Sequence, residues 1–155
     1  MSLRDIYTEV ILDHYKKPRN KGEVDPHTHY AKGHNPLCGD KLELWIKVKD
    51  NVIEDIGFTG QGCAIHTAST SMLTEKVKGA RLEDATRSIN TFLSMLLGEA
   101  EMDIEEMGEL VVLQGVKELH ARIKCATLSW HTLQMALSGE DALKRKGAEG
   151  LEMTS

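Results

Sequence analysis

The chain is poor in cysteine, proline and aromatic residues, with three Cys, three Pro, two Phe and two Trp among 155 residues. It contains no apolar run long enough to span a bilayer, and Met1-Ser2-Leu3-Arg4-Asp5 lacks the apolar core of a secretory signal. A cytoplasmic protein without membrane contact is the expectation. No dense Lys/Arg stripe exists, and the net charge of -5 argues against nucleic acid or an anionic membrane as the main partner. The cysteines lie 25 and 62 residues apart, so no CxxC knuckle is present. An odd number of thiols in a reducing compartment argues against a structural disulfide and gives weight to metal or thiol chemistry.

What remains, 41% hydrophobic and 28% charged, suffices for one domain with a real core. That domain is expected over residues 1–146. Residues 147–155 show no periodic apolar face and read as a flexible C-terminal tail.

Leu3, Ile6, Tyr7, Val10, Ile11 and Tyr15 recur at helical intervals, with Ser2 as an N-cap candidate. Lys16 to Gly22 punctuates that helix as a basic run, read as a solvated cap over the helix end. Val24 to His34 gives no clear period and is expected to be a loop or short irregular strand, its His27, His29 and His34 solvated rather than ligating. From Leu42 to Val48 the alternation is strict, predicting a strand with Leu42, Leu44, Ile46 and Val48 inward and Lys41, Glu43, Trp45 and Lys47 mostly toward solvent. Asp50-Asn51 turns the chain into a second strand, Val52 to Phe58. Helices are predicted over Ala64–Lys78, Leu82–Leu97, Leu110–Leu119 and from Arg122 to about Leu137, with Glu99 to Glu109 as an acidic, solvated connector. Met95 and Met102 read as packing or surface residues.

Each cysteine has a shaped local context. In Asn35-Pro36-Leu37-Cys38-Gly39-Asp40, proline restricts the residue before it and glycine permits a turn, so Cys38 and Asp40 can face one point. Cys63 follows Gly60-Gln61-Gly62 at a predicted helix start, where free N–H groups favour thiolate. The glycine spacing fits neither a Walker A loop nor a dinucleotide fingerprint. Cys125 is expected at the entrance of the last helix, with Arg122 and Lys124 placed to stabilise its thiolate.

Together, Pro36-Leu37-Cys38-Gly39-Asp40, Gly60-Gln61-Gly62-Cys63-Ala64-Ile65 and Arg122-Ile123-Lys124-Cys125-Ala126 resemble the IscU/SufU/NifU N-terminal family of iron–sulfur cluster assembly proteins. The resemblance implies an α+β fold, a small antiparallel sheet with helices packed on one face. It also implies that Cys38, Asp40, Cys63 and Cys125 hold a zinc ion in the protein as purified, or iron or a labile 2Fe–2S cluster. Three thiolates and a carboxylate carry enough charge for this, the harder carboxylate being the most replaceable. Within the family the chain is closer to the SufU branch: a Leu-Pro-Pro-Val-Lys motif is absent before the last cysteine, and Lys124 stands where IscU proteins carry histidine.

The resemblance implies a scaffold or sulfur-transfer protein rather than a self-contained enzyme. As a scaffold, it takes persulfide sulfur from a cysteine desulfurase and passes a cluster to apo-protein acceptors. As a zinc-dependent sulfurtransferase, it passes sulfur to a separate downstream scaffold. Cys38, on a loop, is the expected sulfur acceptor and Cys125 its competitor. A zinc-stabilised interaction domain is the third reading.

Overall fold

The structure, a computed structural model, describes residues 3–99 and 104–138. The expected tail, the Ser2 cap and Met102 lie outside them. The elements run α1 (Leu3–Lys16), β1 (His29–Asn35), β2 (Asp40–Lys49), β3 (Val52–Gln61), α2 (Ala64–Val77), α3 (Leu82–Leu96), α4 (Ile104–Met107), a 3-10 helix (Gly108–Glu118) and α5 (His120–Leu137). Among the described residues the strands form one antiparallel sheet in the order β1-β2-β3. The α+β architecture expected from the sequence is the one observed.

Asp50 and Asn51 set the β2–β3 register. Both have positive φ, 52° and 64°, the pairing that matches a two-residue turn to the twist of its strands. Lys49 then pairs with Val52 and Val48 with Ile53, and beyond a bulge between Val48 and Lys47 the register resumes with Lys47 opposite Asp55. Leu42, Leu44, Ile46, Ile53, Ile56 and Phe58 thereby share the face that meets the helices.

Across that face lies a helical layer built on α2 and α5. Trp130 of α5 is fully buried and stacks on Phe92 of α3 with ring centroids 4.0 Å apart. Its indole N–H donates to Ser69 Oγ at 2.9 Å, and the Ser69 hydroxyl donates to the Ala126 carbonyl at 2.6 Å, so the polar edge of a large core residue is satisfied. α2 is buried on most sides, and its Thr70 and Thr74 hydroxyls donate to the His66 and Ser71 carbonyls of their own helix. Gly33 of β1 lets the strand approach α5 closely, because a Cβ there would collide with the Thr132 hydroxyl.

Three expectations need correction. His29–Asn35 is a full seven-residue strand: backbone pairing with β2 secures what its sparse apolar content does not announce. Trp45 is not turned to solvent; it is 8% exposed and packs against its cross-strand partner Tyr30, centroids 5.6 Å apart. The acidic connector is not simply a solvated face. Within it Ile104–Met107 forms α4 with Met107 buried, and Glu109 receives a hydrogen bond from buried His14; the apolar helix expected after it is present as the 3-10 helix from Gly108, whose Leu110, Leu113 and Val116 belong to the core. Among the described residues no helix is long and apolar enough to cross a membrane.

Candidate metal centre

The β1–β2 turn is shaped by Asn35. Its side-chain oxygen accepts the Leu37 N–H at 3.1 Å, and its carbonyl accepts those of Cys38 and Gly39 at 3.3 and 2.8 Å. Gly39 has φ +76°, and Cys38 stands exposed on this turn. Asp40, the first residue of β2, is fully buried. Its Oδ1 accepts the backbone N–H of Cys63 at 3.1 Å, while Oδ2 is buried without a partner among the described residues.

Gly62 makes the cradle. A Cβ at that position would press into Asp40 Oδ1 and come within 2.6 Å of His66 Cδ2, so the chain reaches Cys63 over the carboxylate only because this residue has no side chain. Cys63 then caps α2, its sulfur accepting the His66 N–H at 3.4 Å. From the opposite side α5 brings Cys125, whose sulfur lies 3.3 Å from that of Cys38.

Ligand atoms of Cys38, Asp40 and Cys125 all fall within 4.8 Å of one another. Cys63 stands outside that tight group but touches it through a hydrogen bond with Cys125. That bond sets the electrostatics. It holds the Cys63 thiol down at about 6, helped by the N–H groups of His66 and Ile65 and opposed by burial. The same bond, with burial, pushes Cys125 well above the usual thiol range. The two thiols therefore titrate as a coupled pair, with Cys63 the more acidic partner.

Donor chemistry fits a metal. A buried carboxylate oxygen without a partner among the described residues, beside thiols of which the most acidic is already ionised near neutrality, is a borderline-soft S/O set suited to zinc or iron. His27, His29 and His34 join no group of converging ligand atoms among the described residues.

Residues 6–126 match the family described as NifU-like N terminal domain. The chain belongs to this family. Of the NifU-like relatives, the zinc-dependent sulfurtransferase SufU of Bacillus subtilis is 41% identical over 90% of this chain and 95% of its own. The iron-sulfur cluster assembly scaffold protein IscU of Streptococcus pyogenes is 39% identical, over 87% of this chain and 84% of its own. The crystal structure of FiSufU from Fervidobacterium islandicum AW-1, a scaffold candidate of the SUF system, superposes with a TM-score of 0.80 at 32% identity, covering 88% of this chain and 99% of that one.

Two sequence expectations about the NifU-like site change. Cys125 does not open a helix: α5 starts at His120, so Cys125 sits in its second turn, away from the free N–H groups. Its thiol is hard to ionise because of its bond with Cys63 and its burial, even with the Arg122 guanidinium close to its sulfur. Asp40, expected as the most replaceable ligand, is fully buried and anchored through Oδ1 to the Cys63 N–H. Two further residues shape the site without having been singled out for it. Gly62 was legible as part of a glycine bracket and His66 as a departure from the family pattern after Cys63, whereas the burial of His66 beside Asp40 arises only in the fold.

Proposed function

We propose that this chain is a sulfur-accepting protein of iron–sulfur cluster assembly, with Cys38 as the acceptor and Cys38, Asp40, Cys63 and Cys125 as the ligands of a metal. The observation that carries this reading is the contrast in access: Cys38 is exposed on a turn, while Asp40 and Cys125 are buried and Cys63 lies between. A sulfur donor on another protein meets Cys38 first. In the transfer, the Cys38 thiolate attacks the terminal sulfur of a persulfide on a cysteine desulfurase. The donor's S–S bond breaks, its cysteine leaves as a thiolate, and Cys38 becomes the persulfide, with no net change of oxidation state. The four residues would hold zinc, whose charge stabilises neighbouring thiolates and keeps the turn ordered. Exposure of Cys38 and likeness to a SufU named as a zinc-dependent sulfurtransferase favour handing the sulfur to a downstream scaffold or apo-protein.

The scaffold reading has its own support. Three cysteines and a carboxylate also suit iron, and the IscU relative is named a scaffold. One experiment separates the two. The zinc-loaded and metal-free proteins are each mixed with a cysteine desulfurase and cysteine. Desulfurase turnover that rises only with the zinc form supports transfer; an oxygen-sensitive visible cluster that moves to an apo-ferredoxin supports the scaffold. Wild-type behaviour of Cys38→Ser in both assays overturns the assignment of the acceptor.

A further inference from the structure

We propose a second metal site, at the far end of α2 from the cysteines, in which His14, Glu75 and Glu109 hold a divalent first-row cation through one imidazole nitrogen and two carboxylate oxygens. His14 lies in the last turn of α1, Glu75 near the end of α2 and Glu109 in the first turn of the 3-10 helix. Glu75 is twelve residues beyond Cys63, about 18 Å along the helix axis at roughly 1.5 Å per residue. The site therefore shares no ligand with the thiolate centre.

Geometry is the first support. The three ligand atoms lie within 4.8 Å of one another, His14 Nε2 being 2.9 Å from Glu109 Oε1 and 3.7 Å from Glu75 Oε1. Metal–ligand bonds of about 2.0–2.2 Å at octahedral or tetrahedral angles put donor atoms roughly 2.9–3.6 Å apart. Small side-chain shifts close the cluster on an ion.

Orientation of the imidazole is the second support. His14 is 0% exposed, and its Nδ1 sits 2.7 Å from Ser71 Oγ, which also accepts the Arg19 N–H at 2.9 Å. A hydroxyl oxygen has two acceptor lone pairs. Arg19 takes one; when an ion displaces the Nε2 proton that the metal-free chain donates to Glu109, the other accepts Nδ1–H and the Nε2 lone pair faces the ion between the two carboxylates. Metal-bound histidines are fixed in this way, by a hydrogen bond at the nitrogen that does not ligate.

Charge is the third. A hydrogen bond from His14 satisfies Glu109 but leaves Glu75 turned toward the same nitrogen, with no other hydrogen-bond or ion-pair partner among the described residues. Arg19 acts on both carboxylates only at longer range, its guanidinium being bound to Asp13. The Glu75 and Glu109 side chains are 47% and 58% exposed, which leaves a route in and room for water ligands. Beside them opens a cavity of about 260 Å³ lined by Glu75, Glu105, Glu106 and Glu109, with the Lys76 ammonium bound to the Glu106 carbonyl. A donor set with one nitrogen, two oxygens and no sulfur is harder than the cysteine centre and suits Mn²⁺ or Fe²⁺.

The test uses Mn²⁺, which thiolates hold poorly, added to full-length protein already carrying one equivalent of zinc. The electron paramagnetic resonance signal of free Mn²⁺ is expected to fall by one equivalent per chain. The Glu75→Gln/Glu109→Gln variant is expected to bind Mn²⁺ at least tenfold more weakly; both side chains are about half exposed, so the amides leave the packing intact. Absence of uptake by the wild type at millimolar Mn²⁺, or uptake unchanged in the double variant, overturns the site.

Discussion

The sulfurs of Cys38 and Cys125 lie 3.3 Å apart although 87 residues separate them in the chain. A disulfide needs about 2.05 Å. The remaining distance is short, and Cys38 rides on an exposed turn that can yield. In the metal-free protein, oxidation by diamide is expected to join Cys38 to Cys125 before either joins Cys63, the two thiols giving up two electrons to the diamide. Peptide mapping without reduction reads the linkage. Zinc loading is expected to suppress it, since bound thiolates are withdrawn from exchange. A first linkage involving Cys63 would show that the 3.3 Å contact does not govern reactivity.

Cys63 and Cys125 titrate as a pair, and the first proton leaves with a midpoint of about 6, carried by Cys63. The group's pKa is depressed, so its thiolate is present above that midpoint and lost as pH falls through it. The contribution of this ionisation to the stability of the metal-free fold follows the same sign. It is complete above the ordinary thiol range near 8.5 and is lost as pH drops through about 6. Iodoacetamide labelling of Cys63 in the metal-free protein should therefore rise between about pH 5 and 7. Cys125→Ala removes the hydrogen bond that holds the thiol down, and the midpoint should move up toward 8.5. An unchanged midpoint in that variant would assign the depression to the helix start instead.

Gly62 and Gly39 separate close approach from backbone conformation. Gly62→Ala drives a methyl group into Asp40 and His66, both buried, and overpacking of this kind costs about 1–3 kcal/mol. Zinc affinity should fall with it, because the atom displaced is the oxygen that positions Cys63. A Cβ at Gly39 meets nothing within 4 Å; there the strain is a φ of +76°, about 1–2 kcal/mol for a residue with a side chain. Denaturant unfolding of the metal-free forms and zinc competition with a chelator give the two readouts. Loss of affinity in Gly39→Ala equal to that in Gly62→Ala would mean that turn conformation, not the cradle, limits binding.

Local physics made part of this molecule legible in its sequence. Asp50-Asn51 announces a turn because few other residues tolerate two successive positive φ values; Gly60-Gln61-Gly62 reads as a turn too, but Gly60 and Gln61 continue β3, paired with Leu42 and Lys41. The three cysteine contexts, taken as a resemblance, indicated the family and the fold. What could not be read depends on partners distant in sequence. The burial of Trp45 rests on Tyr30 across the sheet, and the role of His14 on Glu109, 95 residues away. The place of Cys125 on its helix is not legible locally, because α5 follows the 3-10 helix with only Leu119 between and no side-chain cap marks the start. The depth of Asp40 depends on Cys63 and Gly62, which reach it only after the β2–β3 hairpin has returned the chain.

Asp40 has two oxygens with different duties, and two substitutions tell them apart. Oδ1 holds the Cys63 N–H, a structural bond present without metal; Oδ2 is buried with no hydrogen-bond partner among the described residues, the atom a metal would claim. Asp40→Asn keeps a carbonyl oxygen for Cys63 but removes the negative charge, so the metal-free protein should lose little stability while zinc affinity drops by more than the about 10–100-fold typical of losing an outer-shell partner. Asp40→Ala removes both oxygens. It leaves the Cys63 N–H unpaired, a loss of about 1–3 kcal/mol in the metal-free fold, in addition to the loss of affinity. Unfolding of the metal-free proteins and zinc competition give the comparison. If Asn and Ala lower zinc affinity equally but only Ala lowers stability, the carboxylate acts as both clamp and ligand. If Asp40→Asn binds zinc as the wild type does, Asp40 is a clamp alone and the metal is held by the three cysteines and an outside ligand.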